Sequence, residues 1–149
     1  MILRDALLHF VHFLCIFSLA SILVVEIVLF RQTIARDTLK QLQIVDRWYG
    51  IVAGLVVASG LALLFFGAKG SAFYSHNPVF WTKMALVAVV AGLSAMPTIA
   101  YIHMDKQTGP DGSVALGDAE YRRIRGFLWV QVGVFALIPL CATLMANGI

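Results

Sequence analysis

Four side chains stand out because each is ionisable and lies inside a run of apolar residues: His9, His12, Glu26 and Lys83. Such groups are costly in a hydrocarbon setting and mark sites of chemistry there. A neutral imidazole can ligate iron or copper, or carry protons. An ammonium can hold an anion such as a porphyrin propionate, or pass a proton. His9 and His12 are three apart, one turn of a helix and adjoining faces, a geometry that one metal can bridge. His12 and Glu26 are fourteen apart, nearly four turns, and so share a face. Ser94 and Tyr101 follow Lys83 by eleven and eighteen positions and form one polar stripe with it, with Thr98 alongside and Pro97 permitting a kink. Arg47 and Tyr49 head a second apolar run, and Gln131 lies inside a fourth.

Each of these residues has a plainer reading. His9 can lie at an interface with its polar tip in water, and His12 can be a hydrogen-bonded core histidine. Lys83 can reach outward to lipid phosphates, and Glu26 can pair with Arg31 or Arg47.

The elements that must position these groups follow from composition. The chain has 149 residues, 60% hydrophobic and 13% charged, where soluble domains are roughly 45–50% apolar and about 25% charged. A soluble chain this short cannot hide so much apolar surface, whereas a bilayer solvates it. Four runs are long enough for the ~20 residues a spanning helix needs: about residues 6–30, 49–66, 79–101 and 126–146. Backbone groups in lipid must pair within their own segment, so these are helices, and no strands are expected. The fold expected is an all-α integral membrane four-helix bundle forming a single domain. The first run reads as a retained helix rather than a cleaved leader, having no sizeable basic segment before it.

Connections 31–48 and 102–125 carry Arg31, Arg36, Lys40 and Arg47, and Lys106, Arg122, Arg123 and Arg125; connection 67–78 carries Lys69 alone. Positive charge marks the first and third connections as cytoplasmic. Both termini then face outward, into the periplasm of a bacterium whose inner membrane holds the protein. Residues 108–112 read as a turn, and residues 116–125 as an extra helical turn before the fourth span. His9, His12 and Lys83 fall at one depth near the outer surface, and Glu26, Asp46, Arg47 and His103 near the inner one, two polar layers with apolar helix between.

Gly50, Gly54 and Ala58 recur at four-residue intervals and let another helix approach closely. The favoured reading is packing within the bundle; the alternative is a face for another membrane protein or a second copy. No internal repeat is convincing. Cys15 and Cys141 read as inert thiols, and Trp48, Trp81 and Trp129 as belt aromatics. Basic residues cluster beside spans and no phosphate-binding loop follows a strand, so nucleic acid is not an expected partner.

The segments Asp46-Arg47-Trp48-Tyr49-Gly50, Phe80-Trp81-Thr82-Lys83 and Ser94-Ala95-Met96-Pro97-Thr98 resemble uncharacterised bacterial four-helix inner-membrane families. More distantly the chain is similar to the HemJ-type protoporphyrinogen oxidase family, with His9 and Lys83 at the places of its early first-helix histidine and early third-helix lysine. Arg47, Tyr49 and Tyr121-Arg122 follow the same pattern. Glu26 stands near the place of that family's arginine late in the first helix, and Arg125-Gly126-Phe127 replaces its Asn-Glu-x-Pro opening of the fourth helix. The resemblance implies haem b, with His9 or His12 as axial ligand, and an oxidoreductase acting on a porphyrinogen or quinone-like substrate through Lys83. The competing expectations are a non-enzymatic accessory or assembly subunit of a larger complex and, behind it, a copper or small-ion handling protein using His9, His12 and methionines.

Overall fold

A computed structural model describes residues 2–67, 76–110 and 112–146. It contains helix α1 (Ile2–Leu29), strand β1 (Thr33–Ala35), helix α2 (Arg36–Phe66), helix α3 (Pro78–Lys106), strand β2 (Ser113–Ala115) and helix α4 (Asp118–Ala146). All four helices are long and apolar enough to cross a membrane. Large apolar side chains such as Phe10, Phe17, Val28, Phe65 and Leu140 cover the outside of the bundle, a surface that suits lipid. The all-α membrane bundle expected from composition is the fold observed.

The helices outrun the apolar segments. Thirty-one residues of α2 make a rod of about 46 Å, against a hydrocarbon core of about 30 Å. The segment expected as a connection, residues 31–48, is helical from Arg36 onward. Its charges hid a helical spacing: Leu39 and Leu42 are fully buried, while Arg36, Asp37 and Lys40 face out. The fourth helix likewise starts at Asp118, consistent with the extra helical turn expected before that span.

The expectation of no strands is also overturned. β1 and β2 pair antiparallel, with Thr33 opposite Ala115, Ile34 opposite Val114 and Ala35 opposite Ser113. Two further backbone bonds, Arg36 N–H to Gly112 O and Leu116 N–H to Gln32 O, both 2.9 Å, extend the ribbon. Three-residue strands inside charged connections carry too little pattern to be read from sequence. Gly112 has φ +71° and donates to Gly109 O at 3.0 Å; its conformation is one that glycine adopts freely. Asp111 of the expected turn, and most of the second connection with Lys69, lie outside the described residues.

The ribbon ties together two halves of like construction, helix–strand–helix followed by helix–strand–helix. α1 packs along α2, and α3 along α4; the pairs meet more thinly, α2 on α3 and α1 on α4. The halves bury matching positions. His12, Leu19, Leu23 and Glu26 on α1 have the spacing of Val90, Pro97, Tyr101 and Met104 on α3. Leu39, Leu42, Asp46 and Tyr49 on α2 have that of Tyr121, Ile124, Leu128 and Gln131 on α4. A repeat therefore exists, against expectation. It is a repeat of shape and burial and leaves little trace in residue identity.

The buried core gathers at the ribbon end: Leu19, Leu23, Phe30, Ile34, Leu39, Leu42, Tyr49, Tyr101, Met104, Val114, Leu116, Ile124 and Leu128. Phe30 stacks on Tyr121 with centroids 5.5 Å apart. At the other end, Arg4 donates to Phe66 O at 2.8 Å, a cation on the carbonyl end of α2. Asn77 caps α3 by accepting from Val79 N–H at 2.8 Å, with Pro78 in its first turn.

Candidate functional site

At the end of the bundle that holds the start of α1, the two expected histidines part company. His9 is exposed, and its Nδ1 lies 2.9 Å from Asp5 O and 3.6 Å from the Asp5 carboxylate, one turn back on its own helix. His12 is buried and faces α2, where its Nδ1 lies 2.8 Å from Ser59 Oγ. Ser59 spends its own proton on Val56 O at 3.1 Å. With Ser59 accepting from His12, Nδ1 is the protonated nitrogen and Nε2 keeps its lone pair. Gly60 makes this fit possible: a Cβ there would stand 3.3 Å from His12 Cε1.

Of the two expected histidines, His12 on α1 is the buried one, and Lys83 on α3 is half buried. Cys15 and Cys141 are free and half buried.

The ribbon-end layer is more tightly built. Glu26 does not pair with Arg31 or Arg47, both of which are exposed. It is 2% exposed and accepts from the Tyr101 hydroxyl at 2.9 Å, linking α1 to α3 across the bundle. Gln131 Nε2 donates to the Tyr49 hydroxyl at 2.6 Å, linking α4 to α2 across the other diagonal. Asp46 lies 2.9 Å from Thr98 Oγ1, and Gln43 donates to Tyr101 O at 3.2 Å. Asp46 was read from sequence only as part of a surface layer, and Thr98 as a neighbour of the stripe; the structure joins them. Ser94 is half buried and donates back to Ala91 O at 2.7 Å. His103 is exposed.

The acids come from the first half of the chain, Glu26 and Asp46, and their hydroxyl partners from the second, Tyr101 and Thr98. Among the described residues, neither carboxylate has a cationic partner. Gln131 Oε1 is buried without a partner in a residue only 1% exposed. Among the described residues, no three His, Cys, Asp or Glu side chains converge as a metal site.

Gly50 and Gly54 face outward, with nothing within 4 Å of a Cβ built on either, and Ala58 is exposed. The expectation that this stripe packs inside the bundle is corrected: α2 turns Tyr49, Val52, Ala53 and Val56 inward instead. Trp48, Trp81 and Trp129 are all exposed.

These features define a four-helix integral membrane protein that encloses polar pairs between its spans. The chain belongs to the DUF2214 family of predicted membrane proteins, whose model matches residues 4–149. Searches of the curated proteins and of the solved structures found no match.

Proposed function

We propose that the chain is a redox protein of the membrane that binds haem b at the end of the bundle remote from the ribbon, with His12 as axial ligand. The observation that carries this reading is the His12–Ser59–Val56 relay. Metal-bound histidines are held in one tautomer by a hydrogen bond on the far nitrogen, and Ser59 does this for Nδ1. One imidazole is a sufficient protein donor for haem iron. Among the described residues, the buried core cluster lies towards the ribbon, away from His12. His9, exposed and bonded to its own helix, falls outside the donor set.

Haem b supplies one-electron exchange when bound. The chain's own residues have simpler tasks. Ser59 orients the imidazole, and Lys83 offers a positive charge to a propionate or to an anionic porphyrinogen or quinone-like substrate. The clustering of basic residues around the ribbon supports a cytoplasmic position for that end, and with it a site on the periplasmic side of a bacterial inner membrane.

The test is the absorption spectrum of protein purified after haem supply. A Soret band should be present, be lost in His12→Ala and persist in His9→Ala. Absence of the band in the unaltered protein, or its dependence on His9 alone, overturns the proposal.

A second reading has its own support. The outward face of Gly50 and Gly54 suits a close-packed helix from a partner, as in an accessory subunit. Purification in mild detergent should then yield a stoichiometric complex that Gly54→Leu disrupts. A partner-free particle, unchanged by that substitution, removes this reading.

A further inference from the structure

We propose that the groove between α1 and α2, at the end remote from the ribbon, binds one phospholipid with an anionic head group held by Arg4, independently of any haem. The groove has a volume of about 580 Å³. Leu3, Leu7 and Val11 form its α1 wall, and Ala58, Ser59 and Ala62 its α2 floor. Large side chains on one helix oppose small ones on the other, so the helices touch without filling the space between them. The three wall residues are exposed, so the groove opens on the outer, lipid-facing surface of the bundle.

Two observations select the occupant. The first is the direction of the groove. Arg4 meets Phe66 and His12 meets Ser59, so α1 and α2 run antiparallel and the groove lies along both. From Arg4 to Val11 it descends about 10 Å at the helical rise. A guanidinium stands at its mouth, and the remaining lining is apolar except for Ser59, whose hydroxyl is already engaged by His12 and Val56 O. A phospholipid has this same polarity, charge at the surface and hydrocarbon below. A free phosphate would leave the apolar length empty, and the apolar stretch of a partner helix would leave the cation unmatched.

The second observation is the state of Arg4. Its bond to Phe66 O at 2.8 Å fixes the guanidinium over the end of α2 and uses one of five N–H donors. Among the described residues no carboxylate pairs with it; Asp5, the neighbouring acid, lies 3.6 Å from His9 Nδ1. A planar fork with donors to spare suits a phosphate, and Arg4 is exposed to receive one.

The test is thermal unfolding of the delipidated chain in detergent, without haem supply, on adding phosphatidylglycerol, phosphatidylcholine or soluble glycerol phosphate. Phosphatidylglycerol should raise the midpoint saturably, by roughly 3–10 °C at 10–100 times its Kd, and the other two should raise it clearly less. Native mass spectrometry should retain one phosphatidylglycerol per chain. Arg4→Gln should erase the advantage over phosphatidylcholine, and Ala62→Leu, which fills the floor, should remove the retained lipid. The proposal is overturned if the two lipids act alike on the unaltered chain, if glycerol phosphate reproduces the effect, if a stoichiometric protein partner covers the groove, or if the preference survives both substitutions.

Discussion

Tyr49 and Gln131 hold matching positions in the two halves of the chain and meet each other across the bundle, amide to hydroxyl, at 2.6 Å. The bond closes one diagonal of the four helices. Tyr49→Phe strands a buried amide and should destabilise the protein by about 1–2 kcal/mol. Adding Gln131→Leu removes the stranded group and should recover most of that loss. A double-mutant cycle on detergent unfolding measures the coupling, and additive losses would show that the bond carries no energy.

The other diagonal is the Tyr101–Glu26 bond. Tyr101→Phe leaves a 2%-exposed carboxyl without its donor and should cost about 1–3 kcal/mol. Glu26→Gln retains an acceptor for Tyr101 and should cost clearly less. Equal losses for the two variants would refute this ordering.

The ribbon should be sensitive out of proportion to its size. Ile34 is 1% exposed, and Ile34→Ala should destabilise by about 2–4 kcal/mol, the range for a large-to-small change in a packed core. Hydrogen exchange at the Arg36 and Leu116 amides, which close the ribbon, should accelerate with it. A loss of stability without faster exchange at those amides would count against the ribbon as the part affected.

Gly112 sits at φ +71° with open space around it, so strain and not collision decides the effect of a side chain there. Gly112→Ala should cost about 1 kcal/mol, and Gly112→Asn less, because asparagine tolerates that region better. Chemical unfolding of the two variants side by side checks the order.

Orientation is testable by labelling. A cysteine replacing the exposed Lys106 should react with a membrane-impermeant maleimide only from the cytoplasmic side, and one replacing the exposed Leu3 only from the periplasmic side, both in a background lacking Cys15 and Cys141. The reverse pattern would invert the assignment drawn from basic residues.

Much of the membrane architecture was legible in the sequence, because a hydrocarbon solvent demands ~20 apolar residues per helix and four runs supply them. The inward face of α1 was legible too, since His12 and Glu26 share it at a spacing of fourteen and both are buried. What was hidden is instructive. His9 and His12 could each be read as a ligand from sequence, and the position of α2, with Ser59 offering an oxygen and Gly60 beside the ring, separates them. The diagonals were hidden because Tyr101 and Glu26 are seventy-five positions apart, as are most partners across a bundle. The Gly50/Gly54 stripe misled because small residues signal close approach without saying to what.

The ribbon has a mechanical consequence. Among the described residues, a short antiparallel clasp and most of the buried core share one end of the molecule. The protein is built as two helix pairs fastened at the clasp. His12 and Lys83 lie far from it, on different pairs. A change that loosens the clasp therefore acts on both pairs at once.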